Sequence, residues 1–140
     1  MKRILSRLSI AVFASLVLAG PVLANSVFYS WTMNLRVVDN HVLHTMTAGT
    51  LTHQGQVWTT STDVGFFPSV LIVHLDVYKE TGFIDTYICG ATVQPKKAFN
   101  VGTQFTKNCG AISSGDYFIV VWKSDDDHWN EQGQGDLITP

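Results

Sequence analysis

The chain has 140 residues, of which 46% are hydrophobic and 14% are charged, and its formal net charge at pH 7 is −2. This length fits a single domain that can bury a hydrophobic core without metal ions to hold it together. Nucleic acid is excluded as a partner, because the charge is negative and Lys96-Lys97 is the only adjacent basic pair beyond the N-terminus.

The first 24 residues have the layout of a cleavable secretory signal peptide. Lys2, Arg3 and Arg7 precede an uncharged, mostly apolar segment, Leu8–Ala19, and small residues follow it. We expect cleavage after Ala24. An earlier cut or an uncleaved anchor are the alternatives, but the apolar segment is shorter than the ~20 residues that span a bilayer. Cleavage removes three of the nine basic residues and none of the eleven acidic ones, which changes the formal charge from −2 to −5.

Export would place the two cysteines, Cys89 and Cys109, in an oxidising compartment. An even number of cysteines in an exported chain predicts a disulfide bond. A reactive thiol is the alternative, although neither cysteine lies in a Cys-x-x-Cys motif. We therefore expect a secreted, extracellular protein with one disulfide, or a periplasmic one in a bacterium with two membranes.

Alternating apolar and polar residues predict strands from the start of the mature chain. The odd positions of Val27–Val37 are all apolar and most even positions are polar, which is typical of a half-buried strand. Turn residues at Asp39-Asn40 and at Gln54-Gly55 separate the segments that follow. The strands predicted between these turns and up to position 62 are His41–Thr47, Thr50–His53 and Gln56–Thr62.

The second half of the chain continues the pattern after a loop with a bulky tip at Val64–Pro68. Further strands are predicted at Ser69–Tyr78, Phe83–Val93, Ala98–Phe105 and Tyr117–Lys123. The segment Thr106–Ser114, which contains Cys109, is predicted to be irregular. The final segment, 124–140, is polar and rich in Gly and Gln, which predicts an acidic C-terminal tail or a last edge strand.

These elements predict an all-β fold. No sustained 3.6-residue periodicity follows Ala24, and about eight short strands with regular turns are typical of a single antiparallel β-sandwich, Ig-like or jelly-roll-like. The sandwich domain is expected to cover residues 25–123, with a small β-barrel as the alternative. Long strands such as Val27–Val37 could also pair edge to edge and form a homodimer.

A run of carboxylates marks a candidate metal site near the C-terminus. Asp125, Asp126 and Asp127 are hard oxygen ligands of the kind that calcium prefers. The alternative is a solvated acidic tail, because charge runs are usually hydrated. His41 and His44 form a His-x-x-His pair, but on a strand their side chains point to opposite faces, so a zinc or copper site needs a bulge between them.

Aromatic residues are the candidates for contact with a partner. Trp58 lies among threonines and Trp129 among acidic residues, and an exposed tryptophan can stack on a sugar ring or anchor a protein. Phe66 and Phe67 could form an adhesive tip or could plug one end of the sandwich. The four residues are therefore the predicted binding residues.

The sequence contains none of the motifs Gly-x-Ser-x-Gly, His-Glu-x-x-His or a phosphate-binding Gly loop. No catalytic residue is therefore assigned. The function that this combination favours is a small secreted, non-catalytic protein that binds a protein or a surface glycan. Three alternatives remain: a calcium-stabilised extracellular module, an antimicrobial or toxin-like factor, and a small secreted hydrolase.

Overall fold

The computed structural model describes residues 24–39 and 41–140. The predicted signal peptide lies outside the described residues except for Ala24, and so does Asn40 of the predicted turn. The described residues form nine strands: β1 (Asn25–Met33), β2 (Val37–Val38), β3 (His44–Met46), β4 (Gly49–Thr62), β5 (Val73–Lys79), β6 (Thr86–Val93), β7 (Thr103–Ile112), β8 (Gly115–Trp122) and β9 (Trp129–Thr139).

The strands form two antiparallel sheets that pack together, which confirms the predicted all-β sandwich. The first sheet has the order β1-β9-β4-β7, and the second has the order β2-β8-β5-β6. The short strand β3 also pairs with β8, further along the edge that β2 occupies. Among the described residues, no helix has the length and apolar character needed to cross a membrane.

The inward positions of both sheets supply a continuous core. In β1 the inward positions are buried and the outward ones are exposed, as the alternation in the sequence predicts. One end of the core contains Tyr29, Trp31, Met33, Val57, Val73, Leu75, Val93 and Val121. The other end contains Met46, Leu51, Val77, Cys89, Tyr117 and Leu137.

The predicted strand Val27–Val37 is divided between the two sheets. β1 ends at Met33, and after a bend the chain pairs again at Val37 with Trp122 of the second sheet. The inward alternation stops at this bend: Leu35 and Val37 are exposed, and in β2 it is Val38 that packs against the core. Periodicity alone therefore could not reveal where the chain leaves one sheet for the other.

The turn predicted at Gln54-Gly55 is wrong, because both residues lie inside the long strand β4. Gly55 pairs with Phe105 on one side and Gly135 on the other. A Cβ atom at Gly55 would collide with the backbone oxygen of Gln134. Glycine is therefore required here for close approach of neighbouring strands, not for a turn.

The segment Thr106–Ser114 was expected to be irregular, but most of it continues β7. A bulge at Cys109 interrupts the ladder, because Leu51 pairs with Gly110 and Thr52 pairs with Asn108. The predicted disulfide Cys89–Cys109 is confirmed, with a Cα–Cα distance of 5.4 Å. It joins β6 to β7, and so it links the edges of the two sheets.

The C-terminal segment is neither a tail nor an edge strand. β9 lies between β1 and β4 and pairs with both along nearly its whole length. Its inward positions include Gly133 and Gly135, against which the aromatic rings of Trp31 and Tyr29 pack. The domain therefore extends through Thr139, and the polar composition of β9 reflects outward-facing glutamines.

Candidate functional site

The structure separates the four predicted binding residues. Trp58 is half-buried on the outer face of the first sheet, in β4. Phe66 and Phe67 lie in the loop between β4 and β5 and are 66% and 62% exposed. Trp129 is completely buried, so the prediction that it contacts a partner is corrected by the structure.

Phe67 partly covers one end of the sandwich. Its ring centroid lies 5.9 Å from that of Trp129 and 5.8 Å from that of Phe99, which itself lies 5.8 Å from Trp129. Of the two roles predicted for the Phe66-Phe67 tip, the contacts of Phe67 therefore fit the plug at one end of the sandwich. Phe66 keeps its ring in solvent.

Three rows of side chains cover the outer face of the first sheet. The strand register aligns Ser30, Gln134, Gln56 and Gln104, so that one residue from each strand contributes to the central row. A second row contains Thr32, Gln132 and Trp58, and a third contains Phe28, Asp136, Gln54 and Thr106. Asp136 is the only charged residue among these eleven.

Two shallow depressions lie on this outer face and meet at Gln134. One is lined by Thr32, Trp58 and Gln132 and has a volume of about 500 Å³. The other, of about 350 Å³, is lined mainly by glutamines of β4, β7 and β9 together with Phe28. Both include Gln134, so they are neighbours on the sheet, and together they are called the trough below.

The glutamine amides of this trough have no side-chain partners within the described part of the chain. An amide carries two N–H donors and one carbonyl acceptor, so each can bind a ligand in either sense. Trp58 adds an aromatic face beside them. The trough therefore combines several polar groups with one aromatic surface.

The three aspartates predicted to bind calcium do not form one site. Within residues 24–39 and 41–140, no three His, Cys, Asp or Glu side chains converge as a metal site requires. The Asp125 and Asp126 side chains accept hydrogen bonds from the backbone N–H groups of Asp126 and His128. Asp127 is buried and is engaged by a lysine.

That lysine, Lys123, is the centre of a buried ionic cluster that sequence reasoning missed. Its side chain is inaccessible to solvent, and Nζ donates to Asp127 Oδ1, to Glu131 Oε2 at 2.8 Å and to the Trp129 backbone oxygen at 3.1 Å. Asp127 Oδ2 accepts the backbone N–H of Leu71 at 2.6 Å. The only signal in the sequence was the Lys-x3-Asp-x3-Glu spacing.

The electrostatics of this cluster are dominated by burial. Removal from water raises the pKa of Glu131 to about 7, while the hydrogen bond and positive charge of Lys123 act in the opposite direction. The negative charges of Asp127 and Asp126 add to the increase. One lysine therefore faces two carboxyl groups, one of which holds a proton up to neutral pH.

The histidines are also distributed over separate places. His41 Nε2 lies 2.7 Å from Glu80 Oε2, whereas His44 faces Tyr29 at a ring distance of 6.5 Å. His74 stacks on Trp122 with ring centroids 3.9 Å apart. The structure therefore does not bring His41 and His44 together as metal ligands.

The function has to be inferred from the geometry of the chain itself, because two comparisons with known proteins found no match. No protein-family model matches this sequence, and no curated protein matches it at a significant level.

Proposed function

We propose that this protein is an exported, non-catalytic β-sandwich that binds a surface glycan along the outer face of its first sheet. The observation that carries the proposal is the row Ser30, Gln134, Gln56 and Gln104, which crosses all four strands beside Trp58. The proposal selects the glycan from the two partner classes that the sequence left open.

The chemistry of the trough suits a sugar. Sugar hydroxyls act as both donors and acceptors, and the glutamine amides supply both kinds of group. The C–H face of a pyranose ring can pack on the indole of Trp58, whose apolar ring is bordered by polar groups. Asp136 is the only charged side chain in the three rows, so the proposed ligand is an uncharged glycan.

The dimensions of the trough favour an extended ligand. Four adjacent strands place their outward side chains over about 14 Å, because neighbouring strands lie about 4.8 Å apart. A short oligosaccharide, or one stretch of a polysaccharide chain, could contact all four side chains of the central row. A single sugar would contact only part of it.

Export is part of the proposal and has its own support. The basic, apolar and small-residue pattern of residues 1–24 is that of a secretory signal. The disulfide Cys89–Cys109 belongs with an oxidising compartment, which is where surface glycans are met.

The test is binding to a panel of neutral polysaccharides and their oligosaccharides, measured by co-sedimentation and calorimetry. We expect Trp58→Ala and Gln134→Ala each to weaken binding about tenfold or more, which equals about 1.4 kcal/mol. Tyr87→Ala is the matched control, since Tyr87 is an exposed aromatic residue on the other sheet. It should bind as the unchanged protein does.

Two results would contradict the proposal. The first is binding to no neutral glycan by a protein whose disulfide and β-sheet circular dichroism are intact. The second is glycan binding that survives Trp58→Ala and Gln134→Ala but is lost in Phe66→Ala, which would move the site to the exposed tip at one end of the sandwich.

A further inference from the structure

The buried cluster of Lys123, Asp127 and Glu131 has no role in the proposed glycan site. All three side chains lie inside the sandwich, at the end that Phe67 and Trp129 cover. Burying a lysine and carboxylates carries a desolvation penalty that their mutual attraction offsets only partly. A reaction that removes two of these charges would therefore be favoured by the same burial.

Both oxygens of the Asp127 carboxyl group accept a hydrogen bond from the backbone. Oδ1 accepts the backbone N–H of Trp129 at 3.2 Å, and Oδ2 accepts the backbone N–H of Leu71 at 2.6 Å. Lys123 Nζ contacts Oδ1, one of the two oxygens bonded to the Cγ carbon. Backbone N–H groups in this arrangement can stabilise the negative charge that develops on oxygen during nucleophilic attack.

Glu131 stands on the other side of the same nitrogen. Its Oε2 accepts from Lys123 Nζ at 2.8 Å, whereas its Oε1 is buried and has no hydrogen-bond partner among the described residues. The pKa of about 7 allows this carboxyl group to gain and lose a proton near neutral pH. Glu131 can therefore carry a proton between the amine and a leaving oxygen.

We propose that Lys123 and Asp127 become joined by an intramolecular isopeptide bond, formed within the folded chain with Glu131 as the catalytic residue. Proton transfer within the cluster gives the neutral amine and the protonated carboxyl group. The Nζ lone pair attacks Cγ, the N–C bond forms, and the N–H group of Leu71 holds Oδ2, which becomes negative, while the protonated Oδ1 is the oxygen that departs.

Completion of the reaction requires no other reactant. Glu131 takes a proton from the nitrogen and delivers it to the departing oxygen, the C–O bond breaks, and one molecule of water leaves. No atom changes oxidation state, and Glu131 ends in the protonation state in which it began. The product amide is uncharged, so two buried charges of the cluster disappear.

The bond would hold together two neighbouring parts of the fold. Lys123 follows the last residue of β8, and Asp127 lies two residues before β9. A covalent link between them closes the connection that carries Asp125 and Asp126 and fixes the start of the central strand β9. Together with Cys89–Cys109, it would cross-link the sandwich at a second place.

The test is peptide mapping of the folded, exported protein after reduction and alkylation of its cysteines. Trypsin cleaves after Lys107 and Lys123, and no lysine or arginine follows, so an unlinked chain yields peptides 108–123 and 124–140. Trypsin does not cleave after an acylated lysine. We expect one uncut peptide, 108–140, that is lighter than its sequence by one molecule of water, with fragmentation locating the loss at Lys123 and Asp127.

Variants separate the proposed chemistry from other causes. Glu131→Gln and Lys123→Arg should restore the full mass, and Glu131→Gln should restore cleavage after Lys123. Asp125→Asn is the matched control, because Asp125 is an exposed neighbouring carboxylate, and it should remain linked. Complete cleavage of the unchanged folded protein into two peptides of full mass would overturn the proposal, and so would a link located at Glu131.

Discussion

The buried pair of Tyr29 and His53 makes the stability of this protein sensitive to acid. The Tyr29 hydroxyl lies 2.6 Å from His53 Nε2, His53 is completely buried, and the ring of Phe105 packs edge-on at 5.0 Å. Burial lowers the pKa of His53 from 6.5 to about 4. The folded state therefore keeps a neutral imidazole that is hydrogen-bonded to the tyrosine hydroxyl.

The direction of the effect follows from proton binding in the two states. Between pH 6.5 and 4 the unfolded chain protonates His53 and the folded chain does not, so stability decreases as the pH falls through this range. A difference of about 2.5 pKa units corresponds to about 3 kcal/mol of unfolding free energy. Glu131 acts in the opposite sense, because its raised pKa makes stability decrease from pH 4.5 to about 7.

The measurement is denaturant unfolding of the unchanged protein and of His53→Gln at several pH values between 7 and 4. Glu131 is present in both proteins, so its contribution cancels in the difference between the two unfolding free energies. We expect His53→Gln to be less sensitive to acid. As the pH falls across the range, the unchanged protein should lose about 3 kcal/mol more unfolding free energy than His53→Gln does. His128→Gln, which changes an exposed histidine, should show no such shift. Parallel curves for the unchanged protein and His53→Gln would refute this account.

Two further predictions concern packing and cross-linking. Gly133→Ala should lower the free energy of unfolding by about 1–3 kcal/mol, because the new methyl group overlaps the indole ring of Trp31. Gly65→Ala, where a Cβ atom meets nothing within 4 Å, should be nearly neutral, and denaturant unfolding of the two variants measures the difference. Replacing Cys89 and Cys109 together by alanine should cost about 3 kcal/mol of unfolding free energy, measured against denaturant, and an unchanged midpoint would contradict this.

Much of the fold could be predicted because it depends on short-range alternation. The apolar odd positions of β1 face the core, and the disulfide joins the two cysteines that the sequence offers. The turn wrongly predicted at Gln54-Gly55 depended on how a glycine was interpreted. Gly55 indicated a turn, but it is a point of close approach between strands, and the two meanings are indistinguishable within one segment.

The ionic cluster was missed for a different physical reason. A lysine followed by aspartates is normally a hydrated surface segment, and the interpretation as a tail or calcium site followed from that tendency. Burial of Lys123 depends on acceptors from Trp129 and Glu131 of β9 and on Asp127, which is held in turn by the backbone N–H of Leu71 from a distant segment. Such a convergence is a property of the folded chain and has no local pattern.

The position of β9 shows how one segment can serve both the core and the outer surface. Its inward positions in the middle are Gly133 and Gly135, and the missing volume is filled by Trp31 and Tyr29 from the neighbouring strand. Because the bulk comes from β1, β9 can be central without being apolar. Its outward positions are then available for Gln132 and Gln134, which join the rows that form the trough. The Gln-Gly alternation that resembled a solvated tail is therefore the pattern that allows a polar strand to sit at the centre of the sheet and to present amides to solvent.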